Sequence, residues 1–191
     1  EKLKAAGIAK AAAKSHRATR EGIIGSYVHA GGKIASMVEI NCETDCAAKD
    51  NNFYEFTHKI SKLLLSTNIE SVKQLMDSNI EGFKNVEECR ADVVAKLGEN
   101  ITIRRFKRIL SKGTLGTYIH GKKIAVLVDL DIESPELAKN LAMQIAASKP
   151  QYIKKEEIPD EVIEAESRII RLQTEKEKKP KEIEERIIEG K

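Results

Sequence analysis

The chain has 191 residues, of which 41% are hydrophobic, 33% charged and 4% aromatic, enough for one sizeable core or two small ones. Lysine- and glutamate-rich composition suits long helices better than an aromatic-rich β-sandwich. A net charge of +3 is weak for a dedicated nucleic-acid binder, three cysteines cannot make a disulfide scaffold, and no run approaches the roughly 18 apolar residues of a membrane span.

Cys42, Cys46 and Cys89 therefore read as reduced thiols of a cytosol-like compartment. No signal peptide is visible. The chain opens on Glu1 rather than Met, inside a helix-like run. The natural start, with any targeting segment, is expected to precede it.

Two stretches repeat. "GIIGSYVHAGGKIASMVEINCET" begins at Gly22 and "GTLGTYIHGKKIAVLVDLDIES" at Gly113. Gly22, Gly25, Tyr27 and His29 match Gly113, Gly116, Tyr118 and His120, and Lys33-Ile34-Ala35 matches Lys123-Ile124-Ala125 after a one-residue gap. A period of about 90 residues is too long for a solenoid unit, so two related halves are expected. Each copy predicts a β-hairpin turned by Gly31-Gly32 or Gly121. In the second, Ile124, Val126, Val128 and Leu130 alternate with Ala125, Leu127, Asp129 and Asp131, the period of a half-buried strand.

A helix follows each hairpin. After the first, Phe53, Phe56, Ile60, Leu63 and Leu64 form its apolar stripe. "IESVKQLMDS" and "NVEECRADVVAKLGEN" predict two shorter helices, the latter with Val86, Cys89, Val93 and Leu97 on one face and Gly98 as its end. "ITIRRFKRIL" then reads as a strand. After the second hairpin, Ser134-Pro135-Glu136 opens a helix with Leu137, Leu141 and Ile145 as its stripe. Together these imply an α+β fold: two related halves, each an antiparallel hairpin or sheet covered by helices.

From Pro159 the composition shifts. Ile163 and Ile170, then Ile183 and Ile187, give narrow stripes among charges, and Pro180 suits the start of a second helix. An antiparallel helical hairpin (coiled coil) is expected. A stripe this narrow needs a partner, either its own second arm or another chain; the latter would make a homodimer through the hairpin.

The densest cluster of reactive side chains is "NCETDCAAKDNNF", Asn41 to Phe53. Cys42 and Cys46 have the spacing of one zinc half-site, but no second pair exists. A thiolate would need an electropositive setting, and Glu43 and Asp45 push the other way. Thr44 and Asp45 align with Ser134 and Pro135, which makes a helix cap the plain reading. His29 and His120 are turn-proximal polar residues, and Tyr27 and Tyr118 pack on their hairpins. Arg104, Arg105, Lys107 and Arg108 read as a solvated strand edge. Their alternative is an RNA-binding module using 104–108, although Phe106 is the single stacking aromatic there.

Several ordered motifs resemble the elongation factor Ts family, the guanine-nucleotide exchange factors for elongation factor Tu. "VEINCETDCAAKDNNF" is similar to the family's strand-loop-helix signature around Thr-Asp-Phe-Val, and "AMQIAASKPQYI" to its second signature. "LGENITIRR", "GTYIHGKKIAVLV" and "KPKEIEERIIEGK" match in order, and "LKAAGIAKAAAKSHRATREG" is similar to the end of the N-terminal ubiquitin-associated-like module and its linker. Cys46 stands where the family has phenylalanine and Ala47 where it has valine.

The resemblance implies an organisation: 1–20 the end of that module and its linker, 21–110 the first core half, 111–154 the second, and 155–191 the coiled-coil hairpin. It also implies that the N-terminal module is mostly absent and that the chain stops at Lys191 before a segment completing the second half. The implied function is GDP release from Tu without covalent catalysis, metal or cofactor. Thr44, Asp45, Cys46, Ala47 and Ala48 would form the Tu-contacting loop that disturbs the Mg²⁺ site. The His120 region would make a second contact, as would Leu97, for which core packing is the rival reading. The partner would be Tu, GDP-bound or nucleotide-free, with neither a membrane nor direct nucleic-acid binding called for. The setting would be a bacterial cytoplasm or, alternatively, an organelle matrix.

Overall fold

The computed structural model describes residues 2–176, together with 183 and 186. The chain divides into two units, residues 1–148 and 149–191.

The first unit opens with helix α1 (Lys2–Lys14) and continues into strands β1 (Glu21–Val28) and β2 (Ile34–Cys42). They pair antiparallel from Glu21↔Cys42 to Val28↔Ala35. Strand β3 (Ile101–Leu110), the "ITIRRFKRIL" stretch, pairs on the far side of β2, giving the order β1-β2-β3. Thus the first repeat is a hairpin completed by a third strand. The second repeat stays two-stranded: β4 (Thr114–His120) pairs with β5 (Ile124–Leu130).

Helices α2 (Asp45–Lys49) and α3 (Asn51–Ser66) follow the first hairpin, and α4 (Val72–Asp77) and α5 (Val86–Leu97) precede β3. The sequence reads as one helix after Thr44, but the chain restarts at Asp50, whose carboxylate accepts from Asn52 N at 2.7 Å. This second cap satisfies a first-turn N–H that would otherwise lack a partner. Helix α3 lies on β1 and β2. Phe53, Phe56, Ile60 and Leu64 are buried in one core with Val38, Ile40, Val86, Cys89, Val93, Val94, Ile101 and Ile103. Fully burying a side chain such as Phe53 contributes roughly 1.5–3 kcal/mol. Gly98 ends α5 at φ 75, in the left-handed region that glycine adopts without strain.

The matched glycines have matched tasks. A β-carbon on Gly22 would lie 2.2 Å from Ile40 O, and one on Gly113 2.0 Å from Leu130 O, so both need bare backbone against the neighbouring strand. On Gly25 it would meet Ser61 Oγ at 2.5 Å, and on Gly116 the Ala138 carbonyl at 2.5 Å, so both admit the covering helix. Helix α6 (Pro135–Ser148) therefore sits so close to its hairpin that small residues must face it. Ala138, Ala142 and Ala146 are buried there, while Leu137 and Leu141 of the expected stripe are exposed.

The turn between β4 and β5 has positive φ at both central residues, Gly121 (56°) and Lys122 (62°), the type I′ geometry that matches strand twist. It docks on the first sheet: Lys122 O accepts from Ile24 N at 2.7 Å, pairing an edge-strand donor.

In the second unit, helix α7 (Asp160–Lys176) leaves Val162, Ile163, Ile169 and Leu172 exposed. The expected far arm lies outside the described residues, apart from Ile183 and Arg186. No helix among the described residues is long and apolar enough to cross a membrane.

Candidate partner-binding site

Strand β2 delivers the chain into a short exposed tip, Thr44-Asp45-Cys46. Thr44 caps α2, its hydroxyl accepting from Ala47 N at 3.3 Å. Ala47 and Ala48 turn inward, 6% and 3% exposed, and join the core. Of the five expected loop residues, three thus form the tip and two its buried base.

Asp45 is exposed and bonds Lys49 Nζ at 2.5 Å, one helical turn away. That hydrogen bond, with the charges of Lys49 and Lys123, holds its carboxyl below the usual carboxylate range. Cys46 is exposed, whereas Cys42 is buried and its thiol donates to Thr44 O at 3.2 Å. Burial first, then the charges of Glu99 and Glu21, pushes the Cys42 thiol up to about 11. It is therefore protonated at neutral pH and a poor nucleophile or metal ligand. Among the described residues no three His, Cys, Asp or Glu side chains come together as a metal site.

The chain beside each of the other two expected contacts reaches this tip, through Glu99 and Lys123. Leu97 is the last residue of α5 and packs partly buried against the core. Two residues on, the Glu99 carboxylate accepts from Glu43 N at 3.1 Å, Thr44 N at 3.0 Å and the Thr44 hydroxyl at 2.6 Å. The Glu43 carboxylate accepts in return from Asn100 N at 2.6 Å. His120 ends β4, exposed, with its Nδ1 3.3 Å from the Tyr118 hydroxyl. Three residues beyond it, Lys123 Nζ lies 2.5 Å from Glu21 and 3.8 Å from Asp45, while Lys122 Nζ stands 4.5 Å above the Tyr54 ring. The sequence reading missed Glu99, Lys122 and Lys123. All lie in stretches that carry the family resemblance, but spacing cannot show that the turn before β3 comes to lie beside the end of β2.

Two arginines of the basic run share one carboxylate while staying largely exposed. The β2–β3 register shifts between Glu39 and Ile40, an irregularity that brings two consecutive arginines onto one carboxylate. Arg104 bonds Glu39 at 3.0 Å and Arg105 at 2.6 Å. Burial would raise the Glu39 carboxyl, but the two guanidiniums outweigh it and hold it below its usual value. Arg108 is half-buried, with Nη2 3.5 Å from Leu65 O.

The family model described as Elongation factor TS matches residues 43–191. The chain belongs to the elongation factor Ts family. It is 44% identical to the elongation factor Ts of Azoarcus sp. (strain BH72) over 95% of this chain and 61% of that protein. Identity is 40% to that of Thioalkalivibrio sulfidiphilus (strain HL-EbGR7) and 39% to that of Clostridium botulinum (strain Eklund 17B / Type B), each across the whole chain and 65% of the relative. The chain thus spans slightly under two thirds of the length of these elongation factor Ts relatives. The tip, the clasp of Glu43 and Glu99 and the His120 hairpin all fall within the matched residues.

Proposed function

We propose that this chain is a guanine-nucleotide exchange factor for elongation factor Tu that acts by binding alone. The observation that carries this reading, beside family membership, is the exposed Asp45-Cys46 step on its buried Ala47-Ala48 base. A tip braced in this way can enter a partner's surface without first being ordered.

The mechanism is linkage. A factor that binds nucleotide-free Tu more tightly than Tu–GDP weakens GDP binding by the same factor. A thousandfold weakening needs about 4 kcal/mol of differential binding. The Mg²⁺–phosphate region of Tu is where small displacements alter the most interaction energy, because the cation is a large local charge. The Thr44–Ala48 loop wedges beside that region. Asp45 competes there for polar partners, and Cys46 supplies a small apolar tip. The hairpin around His120 grips a second part of the G domain, with Leu97 as a further contact. No covalent bond is made or broken, and the chain itself needs no cofactor.

The exposed apolar side chains of α7 support the expected helical hairpin, whose far arm lies outside the described residues apart from Ile183 and Arg186. It serves partner contacts or pairing of two copies. The setting is a bacterial cytoplasm or an organelle matrix. The RNA-binding alternative would have to draw Arg104 and Arg105 away from Glu39.

The test is release of a fluorescent GDP from Tu. The wild-type chain accelerates it, Asp45→Ala is slower, and Cys46→Phe, with more area to bury, is equal or faster. No change with either variant would remove the loop from the mechanism.

A further inference from the structure

Glu99 and Glu43 hold each other's backbone. Glu99 takes the amides of Glu43 and Thr44, and Glu43 takes the amide of Asn100. The Thr44 hydroxyl completes the device, since it donates to Glu99 and accepts from Ala47 N. Its proton direction, and with it the start of α2, is thereby set from outside the loop. The Glu43–Asn100 link is itself anchored. Asn100, 1% exposed, donates from Nδ2 to Ser15 O at 3.3 Å and Arg17 O at 2.8 Å, and Lys14 Nζ donates to Gly98 O. Arg17 Nη1 lies 3.6 Å from Glu43. The tip is thus fastened through two carboxylates, Glu99 and Glu43, to the end of α5 and to the chain leaving α1.

Within the loop the tip is held by the Thr44 cap, the Asp45–Lys49 pair and the Cys42 thiol. Its exposed residues bury little, and Thr44 N and Glu43 N have no strand partner beyond Cys42. Hydrogen bonds from backbone N–H to a carboxylate are about twice as strong as neutral ones. Removing that carboxylate leaves two amides and a hydroxyl to water, so the tip samples many conformations instead of one.

We propose that Glu99 is a positioning residue for nucleotide exchange, acting through Thr44 to aim Asp45 and Cys46 at the partner. The proposal rests on the exchange reading above and deepens it.

The experiment is a double-mutant cycle on fluorescent GDP release from Tu, using the full chain with Glu99→Ala, Asp45→Ala and both. Glu99→Gln serves as the conservative variant, because its carbonyl oxygen can still accept from the two amides. Amide hydrogen exchange on each chain alone reports the loop, and thermal unfolding reports the fold. Glu99→Ala slows the saturating release rate by about tenfold, the scale of coupling within one hydrogen-bond network. Glu99→Gln falls between it and wild type. Adding Glu99→Ala to Asp45→Ala changes the rate little, because the group being aimed is already gone. The Glu43 and Thr44 amides lose protection while those of α3 keep theirs.

Independent, multiplicative effects in the cycle, or open amides with an unchanged rate, overturn the role of Glu99 and leave the exchange reading intact. If the wild-type chain fails to speed release, the exchange reading falls and takes this assignment with it. If both Glu99 variants lose α3 protection and melt early, Glu99 is a fold residue and the assignment is equally overturned.

Discussion

Lys123 and Asp45 face each other across 3.8 Å, although one lies in the turn between β4 and β5 and the other opens α2. The same ammonium bonds Glu21 at 2.5 Å, at the first residue of β1. One side chain therefore joins the turn after His120, the root of the first sheet and the exposed tip. Two segments that could grip a partner separately are held in one geometry. Lys123→Ala should slow exchange while leaving thermal stability almost unchanged, since exposed ion pairs contribute little to folding. Stopped-flow GDP release beside a melting curve checks both halves of that statement.

Asp45 should titrate low. Its hydrogen bond to Lys49 favours the carboxylate in the folded chain, so the stabilisation is present above the ordinary aspartate value of about 3.9 and is lost as pH falls through a lower midpoint. Across any neutral assay range the group stays ionised. An NMR carboxyl titration should place its midpoint below that of a free aspartate, and Lys49→Ala should move it back up. An unmoved midpoint in Lys49→Ala would show that the pairing is absent in solution.

The three thiols should separate cleanly. Cys46 is exposed, while Cys42 and Cys89 are buried with thiols pushed up to about 11, burial being the main cause for each. At pH 8 an aromatic disulfide reagent should label one thiol of the native chain quickly. All three should react after denaturation. Rapid native labelling of Cys42 would mean that the end of β2 opens readily.

Gly116→Ala should destabilise the fold. The added carbon would lie 2.5 Å from the Ala138 carbonyl, which is backbone and cannot swing aside. Overpacking of this kind costs about 1–3 kcal/mol. A lowered urea midpoint at unchanged slope would report it, and an unchanged midpoint would show that α6 gives way freely. Gly25→Ala should behave alike, because Ser61 and Thr57 stand as close on α3.

These glycines also mark how far the sequence could be read. The paired hairpins were legible because Gly22, Gly25, Gly113 and Gly116 recur at fixed steps, and the same steps place each against a strand or a helix. The α3 stripe was legible because Phe53, Phe56, Ile60 and Leu64 bury at helical spacing. On α6 the larger side chains misled, because the bare backbone of Gly116 draws the helix in until alanines fit best. The break at Asp50 was hidden within a continuous helical pattern. The irregularity that turns Arg104 and Arg105 onto Glu39 leaves no mark in residue types. The Thr44 cap was legible, but the Glu99 clasp was not, since no spacing rule links Thr44 to a carboxylate beyond α5.

The measurement that bears most directly on the central claim is calorimetric binding of the wild-type chain to elongation factor Tu, with its pocket empty and with GDP bound. The exchange reading predicts clearly tighter binding to the empty form, by the same ratio as the chain weakens GDP. Equal affinity for the two forms would contradict it.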